Sequence, residues 1–238
     1  MSKQPDACAL LEVAGIQRPA IGFYDTPDPT PHAPFMEPRH CLFEAFDAWM
    51  HGQSIHLSED DFSCDGAGYW LCGAQTRSME ELIDFLVDRE GLKESKEKMR
   101  SWVEFNRPYQ QENDHIVLGP LVAEAYPWLK TVTFFVDPDQ LALLLTGAQY
   151  NHEPSHGSPV VAPFGSGCMQ LAPLFEDLSK PQAMIGATDI AMRQHLPAHL
   201  QALTVTVPMF ERLCALDEDS FLQKGFWKRL RRSRDLPA

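Results

Sequence analysis

The chain of 238 residues has no apolar run close to the length needed to cross a bilayer, which is about 20 residues. Its first residues, Met1 to Cys8, also lack the apolar stretch of a secretory signal. These two absences predict a cytoplasmic protein with no membrane span.

Positive charge is also scarce. The chain has 20 Lys and Arg against 33 Asp and Glu, which gives a formal net charge of −13. General nucleic-acid binders neutralise phosphates with surplus Lys and Arg, so this composition predicts no nucleic-acid partner. The 44% of hydrophobic and 22% of charged residues are typical of a folded globular protein rather than a disordered one.

Cysteine is sparse as well, with six residues and no Cys-x-x-Cys pair. Six are too few for a disulfide scaffold, and the missing pair argues against a zinc ribbon and a thioredoxin-type site. In a reducing compartment these cysteines are expected to be thiols or ligands. Cys8 and Cys214 are expected to be buried as small apolar residues.

What the sequence does contain is an irregular alternation of strand-like and helix-like segments. β-Branched runs occur at Thr131–Val136, Leu203–Val207 and Val160–Ala162. Ser78, with Glu81 three residues later, forms a capping-box pattern that opens an amphipathic helix. The irregular order predicts an α+β protein, a mixed β-sheet flanked by helices, rather than a doubly wound fold.

Two segments of the second half resemble one another. The strand-like run 129–136 leads to Pro138 and a helix, and the run 200–207 leads to Pro208 and a helix. Proline is well tolerated in the first turn of a helix. The pattern predicts a strand–helix pseudo-repeat on one sheet. We expect a single domain, residues 1–238, in which the polar link 108–114 separates two lobes, 1–108 and 115–238.

Two glycine-rich breaks, each after a strand-like run, give the strongest signal for a functional site. They are Cys64-Asp-Gly66-Ala-Gly68 and Gly165-Ser-Gly167-Cys168. Glycine is used where the backbone takes a positive φ or approaches another group closely, and a cysteine there is placed for chemistry or for a tight contact. The apolar run after the first break argues against a dinucleotide-binding fingerprint. The second break is expected to open a helix, whose N-terminus favours a thiolate or binds an anion.

Other side chains are candidates to join the breaks. Cys41 begins a predicted helix, and convergence of Cys41, Cys64 and Cys168 would give three thiolates for a metal ion or an iron–sulfur cluster. Asp189 and Arg193 are four residues apart and meet on one face of a predicted helix. There they form an ion pair or orient a carboxylate ligand.

The segment His152-Glu-Pro-Ser-His156 matches the HExxH motif, in which two histidines on one helix face bind zinc. Pro154 lies inside the motif and disfavours that helix. We therefore expect a polar surface loop and not a metalloprotease site.

The last helix-like segment, from Phe221 to Arg234, is amphipathic and basic on an otherwise acidic chain. It is expected to dock Phe226, Trp227 and Leu230 on the protein while its arginines face solvent. The alternative is contact with an anionic partner or a membrane surface.

Several motifs in the same order resemble the DUF169 family. They are the Cys41 helix opening, Asp61-Phe-Ser-Cys-Asp-Gly-Ala-Gly-Tyr-Trp-Leu, Val161-Ala-Pro-Phe-Gly-Ser-Gly-Cys168, Ile185-Gly-Ala-Thr-Asp-Ile-Ala-Met-Arg and Leu203-Thr-Val-Thr-Val-Pro. The resemblance runs from Arg18 to about Leu230 and implies the family's fold and a site at the breaks, but no catalytic residue. Many members have a Gly-Cys-Gly-rich segment where this chain has Gly186-Ala-Thr-Asp, which argues against a four-cysteine cluster.

The leading hypothesis is therefore a protein that binds a small molecule, a metal ion or an iron–sulfur cluster at a cysteine- and glycine-lined site. Its candidate ligand-binding residues are Cys64, Gly66, Gly68, Gly165, Gly167, Cys168, Asp189 and Arg193, and its candidate metal ligands are Cys41, Cys64 and Cys168.

Two alternatives stay open. One is an enzyme whose nucleophile is Cys168 or Cys64, with His40, His56 or Asp65 as the partner. The other is a non-catalytic module that binds a partner through the basic C-terminal helix. The sequence also leaves a homo-oligomer open.

Overall fold

The structure is a computed structural model that describes residues 9–36, 40–57, 65–72, 78–216 and 219–234. The strands of the described residues form one sheet. They are β1 (Ile21–Thr26), β2 (Phe35–Met36), β3 (Ser54–Leu57), β4 (His115–Pro120), β5 (Leu129–Val136), β6 (Val160–Val161), β7 (Ala183–Gly186) and β8 (Gln201–Thr206). Parallel pairs at both edges and antiparallel pairs between them make the sheet mixed. Together with the flanking helices, this sheet confirms the predicted α+β class.

The helices are short. They are α1 (Ala9–Val13), α2 (Phe46–Met50), α3 (Asp65–Ala67), α4 (Met79–Asp84), α5 (Lys96–Phe105), α6 (Pro138–Gln149), α7 (Ile190–Arg193), α8 (Val207–Cys214) and α9 (Gly225–Ser233). Ser78 and Glu81 form the predicted capping box at the start of α4. Within the described ranges, no helix combines the length and the apolar character needed to span a membrane.

The strand order is the same in the two halves of the sheet. Outward from the centre, the strands run β1-β4-β3-β2 on one side and β5-β8-β7-β6 on the other. In each half the fourth strand pairs antiparallel with the first and third, and the second pairs parallel with the third. Because β1 and β5 meet antiparallel in the middle, the two four-strand units are related by an approximate two-fold axis perpendicular to the sheet. This repeat divides between β4 and β5, whereas the division into lobes at 108–114 stays a prediction.

The expected strand–helix units of the second half are β5–α6 and β8–α8. Pro138 and Pro208 lie in the first turns of the two helices. β5 and β8 are antiparallel neighbours, and Gly147 of α6 lies against Leu213 of α8. The two units therefore pack side by side on one face of the sheet.

That face carries the first core. Side chains alternate between the two faces along a strand, and Val132, Phe134 and Val136 of β5 all point to this side. Phe134 packs on Phe210 of α8 with ring centroids 6.1 Å apart. The C-terminal helix α9 adds Trp227 to the same core.

The opposite face carries the second core and both glycine breaks. Its aromatic centre is Phe135 of β5, on which Phe46 and Trp49 pack with ring-centroid distances of 5.0 and 6.2 Å. A third, smaller core joins helices α4 and α5 to this face through Trp70, Ile83, Met99, Val103 and Met169. The described elements that carry the predicted site therefore lie on one side of the sheet.

Candidate functional site

The two glycine breaks lie next to each other. Residues 65–72, which form α3 and a π-helical turn, pack against the 3-10 helix Cys168–Leu171. Ala67 and Leu71 join Leu171 in the second core, and Trp70 joins Met169 in the third. The apolar run after the first break is therefore a helical turn that seats the second break. Gly66 is half-buried and Gly68 is buried within it, while Cys64 lies outside the described residues.

The second break owes its shape to Gly165, which has φ +79. This left-handed conformation suits glycine, since a Cβ crowds the backbone there. A Cβ at this position would also lie 2.8 Å from Cζ2 of Trp102, so the indole of α5 packs directly on the glycine backbone. Gly167 is likewise approached by the carboxylate of Asp189. The glycines are needed for close packing between the break and its neighbours.

Buried polar groups hold the second break and the segment that follows it. The Ser166 hydroxyl donates to the Pro163 carbonyl (2.7 Å), and Oε1 of Gln170 accepts from the backbone N–H of Ala187 (2.6 Å). Thr131 of β5 donates to the carbonyl of Leu171. Fixed hydrogen bonds of this kind make the break a rigid part of the sheet face.

Cys41 and Cys168 occupy equivalent positions in the two four-strand units. Cys41 precedes the 3-10 helix Leu42–Ala45 that follows β2, and Cys168 begins the 3-10 helix that follows β6. Both thiols are half-buried and pack against the second core, as does Cys72. The predicted helix opening at each cysteine is confirmed, although the helix after Cys168 has only four residues.

The three-thiolate metal centre stays a prediction because one of its members, Cys64, is outside the described residues. Among the side chains that the structure does describe, no group of three His, Cys, Asp or Glu is placed to hold a metal ion. Cys41 and Cys168 therefore complete no metal site with a third described residue.

Asp189 and Arg193 do not form the expected ion pair. Oδ1 of Asp189 accepts from the backbone N–H of Ala191, which caps the single turn of α7. The Arg193 guanidinium donates instead to the carbonyls of Leu200 and Ala198, at 2.7 and 3.1 Å. A four-residue helix frees the arginine to turn toward the chain that follows, so each side chain has a local structural role.

Of the two histidines proposed as partners for a cysteine nucleophile, His56 points away from the breaks. His40 is exposed. His56 lies between Ile55 and Leu57, which both point to the second core, so its side chain is on the opposite face of the sheet. There its Nε2 lies 2.9 Å from Nδ1 of His115. The side chain of Asp65 is outside the described part of the structure.

A cleft of about 660 Å³ opens beside the second break. One wall is the end of α5 and the link that follows it, and the other wall is β6 with residues 172–178. The aromatic residues of the lining are Trp102, Phe105, Tyr109 and Phe175. Arg107 and Glu176 add one charge of each sign, and neither forms an ion pair with a described residue. The cleft is thus mainly apolar, with a few charged and amide groups.

The link after α5, residues 108–114, is fixed by a buried carboxylate. Asp25 of β1 is fully buried, and its Oδ2 accepts from the Tyr109 hydroxyl (2.9 Å) and from the N–H of Glu112 (2.7 Å). Its Oδ1 accepts from the N–H of Asn113 at 2.8 Å. Burial, together with the charge of Asp25, raises the pKa of Tyr109 above its ordinary value. Tyr109 is therefore held as a neutral, correctly placed wall of the cleft.

Phe164 extends the aromatic surface next to the cleft. Its ring packs edge-on to Trp102 with centroids 5.1 Å apart, and Nζ of Lys93 lies 3.7 Å from its centroid. A cation over an aromatic face is favourable. The second break thus positions Phe164 and Trp102 together.

Among the predicted ligand-binding residues that the structure describes, none lines this cleft. Gly165 instead supports its wall by seating Trp102. The sequence did contain one signal for the wall: the helix-like segment that carries Phe105 stops before Pro108, and Tyr109 follows. Proline after a helix end marks a loop, but only the fold shows that this loop faces residues 172–178.

The HExxH-like segment is a surface loop, as predicted. Residues Pro154–His156 form a single 3-10 turn, and the rings of His152 and His156 are 6.3 Å apart. His152 contacts the carbonyl of Gly157 through Nε2. The two histidines do not share a helix face, because no α-helix is present there.

Comparison with known proteins assigns the family. A family model for DUF169, described as "Uncharacterised ArCR", matches residues 12–215. This span contains both glycine breaks, the cleft and the whole sheet. No curated protein matches the chain, and no solved structure does. Because the match covers most of the sequence and confirms the resemblance, the chain belongs to the DUF169 family.

Proposed function

We propose that this protein binds a small molecule in the cleft between the α5 link and residues 172–178. The observation that carries the proposal is a concave, mainly apolar space of about 660 Å³ with four aromatic residues in its lining. Ligand sites are clefts of roughly 300–1,000 Å³ lined by hydrophobic and aromatic side chains with a few polar groups. The cleft has this size and this composition.

The lining indicates the chemical class of the ligand. Trp102, Phe105, Tyr109 and Phe175 favour a flat apolar or aromatic body, which stacks on aromatic rings. Arg107, without an ion pair to a described residue, is available for an anionic group, and guanidinium binds carboxylate or phosphate in a bidentate manner. We infer an aromatic or similarly flat molecule that carries one negative charge.

We also propose two alternative roles for the cysteines. Cys168, Cys41 and Cys64 would hold a metal ion or an iron–sulfur cluster, or Cys168 would act as a nucleophile next to the cleft. The half-buried thiols of Cys41 and Cys168 against one core support the first. Such thiols persist in a reducing compartment, and we propose that the protein works in the cytoplasm.

The binding proposal is tested with 8-anilinonaphthalene-1-sulfonate, a flat aromatic anion that fluoresces in apolar sites. We expect saturable binding to the folded protein. Arg107→Ser should weaken this binding by about tenfold, because hydrogen bonds to charged groups are among the stronger ones. Arg89→Ser, an exposed arginine elsewhere, is the matched control and should not change the affinity. Equal affinities in all three proteins would contradict the proposal.

Thiol alkylation separates the cysteine roles. A nucleophilic Cys168 should react with iodoacetamide quickly near neutral pH, because the thiolate is the reactive form. A thiolate that holds metal should be protected until a chelator is added. Cys168→Ser, followed by mass spectrometry, identifies the modified site in either case.

A further inference from the structure

Helix α9 is fixed to the first core by one side only. Trp227 is buried, and its indole N–H donates to the carbonyl of Val13 at 3.2 Å. Leu230 packs against the same core, and Arg234 forms an ion pair with Asp139 of α6, with a closest distance of 2.7 Å. These contacts fix which face of the helix points away from the protein.

The outward face is cationic. Residues 224–234 contain six Lys and Arg and no acidic residue, so the rest of a chain with net charge −13 carries −19. Lys228, Arg229 and Arg232 are exposed and form no ion pair with any described residue. At 100° per residue these three side chains lie within one solvent-facing sector of the helix. Their charge is therefore available to a partner.

An exposed aromatic ring borders this cationic face. Phe226 is 83% exposed, and the guanidinium carbon of Arg229 lies 4.7 Å from the centroid of its ring. Phe226 does not join the first core, although Trp227 beside it does. A large apolar side chain left in water next to a row of cations is typical of helices that lie in a lipid headgroup region.

We propose that α9 attaches the protein peripherally to an anionic phospholipid surface, with Lys228, Arg229 and Arg232 on the headgroup phosphates and Phe226 between the headgroups. Four of the six cations in 224–234 are arginine, whose planar guanidinium matches phosphate geometry better than an ammonium group does. Phosphates at a membrane surface supply that geometry repeatedly along the length of the helix.

The acidic body of the protein does not prevent this attachment. The Debye length is about 8 Å at physiological ionic strength, while a helix with its side chains is about 10 Å across. Carboxylates beyond α9 are therefore largely screened from the surface that the helix contacts. Each basic residue near an anionic leaflet favours binding about fivefold, so three residues together favour it about a hundredfold.

Vesicle sedimentation of the full chain tests the proposal. We expect the protein to sediment with phosphatidylcholine vesicles that contain phosphatidylserine and not with phosphatidylcholine alone, and to be released by high salt. The triple variant Lys228→Ser, Arg229→Ser, Arg232→Ser should bind about a hundredfold more weakly. Phe226→Ser should weaken binding at unchanged net charge, because the ring no longer contributes apolar burial.

A charge-matched control distinguishes the helix from the net charge. The triple variant Arg89→Ser, Lys98→Ser, Lys180→Ser removes three exposed cations elsewhere and should sediment like the parent protein. Equal losses in the two triple variants would overturn the proposal, as would equal sedimentation with both kinds of vesicle. The parent protein could instead fail to bind vesicles and form a concentration-dependent oligomer that is lost in the α9 triple variant. In that case the partner of α9 is a second copy of the chain, and the proposal is wrong.

Discussion

The indole of Trp102 rests on the backbone of Gly165, so closely that a Cβ on the glycine would lie 2.8 Å from Cζ2 of the ring. This contact connects the second glycine break to the wall of the cleft. It explains why a glycine is required in the break even though no glycine is among the described residues that line the cleft.

Replacing Gly165 with alanine tests that connection. A left-handed residue other than glycine costs about 1–2 kcal/mol, and the displaced Trp102 should add about 1–3 kcal/mol from overpacking. Gly157→Ala is the matched control, because Gly157 has φ +78 but nothing within 4 Å of its Cβ position. Urea denaturation should show a larger loss of stability for Gly165→Ala. Equal losses would mean that the Trp102 contact is unimportant.

Asp25→Asn should loosen the cleft wall. The carboxylate accepts three hydrogen bonds through two oxygens, whereas an amide has one acceptor oxygen and places an NH₂ group against a donor. Hydrogen bonds to charged groups contribute about 1.5–3 kcal/mol each. The free energy of unfolding should therefore fall by at least the contribution of one such bond. Tyr109→Phe, which removes a single bond, should cost less. An Asp25→Asn protein as stable as the parent would show that this carboxylate does not fix the cleft wall.

The same pair makes a prediction for tyrosine ionisation. Burial and the neighbouring carboxylate raise the pKa of Tyr109, so alkaline difference absorbance should show this tyrosine ionising later than an exposed one. In Asp25→Asn the negative charge is removed and the pKa of Tyr109 should decrease. No change in the alkaline titration would show that Asp25 has little influence on this phenol.

His32 should make the protein sensitive to mild acid. Its side chain is 2% exposed and packs on Tyr24 at a ring-centroid distance of 4.2 Å, and burial lowers its pKa. The unfolded chain then binds a proton that the folded chain does not, so stability should fall as pH drops below about 6.5, by up to about 1.4 kcal/mol per pH unit.

The variant His32→Phe isolates this effect. It should keep the packing on Tyr24 and flatten the acid side of the stability profile between pH 7 and pH 5, which denaturation at several pH values would measure. The control His199→Asn changes an exposed histidine and should leave the slope as it is. An unchanged slope in His32→Phe would show that another group causes the acid loss.

Local patterns predicted the parts of the fold that local forces decide. The β-branched run of β5, the capping box at Ser78 and the proline starts of α6 and α8 all correspond to observed elements. The larger repeat of two four-strand units depends on strand order, which is set by long-range pairing and leaves no mark in residue spacing. The spacing of residues along the sequence therefore indicated only the smaller strand–helix pseudo-repeat of the second half.

In the candidate site, too, local features were predicted from the sequence and those that depend on tertiary packing were not. The two breaks were expected to share a site, and 65–72 does pack on 168–171. The prediction of an ion pair between Asp189 and Arg193 was wrong. Helix α7 ends after one turn, and the Arg193 guanidinium donates to the carbonyl of Leu200, which follows the helix. The cleft wall at Trp102 and Tyr109 was missed, since only tertiary packing and the buried Asp25 bring it opposite residues 172–178.

The most direct test of ligand binding in the cleft is the ¹H–¹⁵N spectrum of the five tryptophan indoles during titration with 8-anilinonaphthalene-1-sulfonate, each signal assigned by a Trp→Phe variant. Trp102 lines the cleft, whereas Trp49 and Trp227 are buried in the second and first cores. If the ligand binds in the cleft, we expect a saturable shift of the Trp102 signal and no shift of the Trp49 and Trp227 signals. A Trp102 signal that stays in place while the dye binds elsewhere would contradict it.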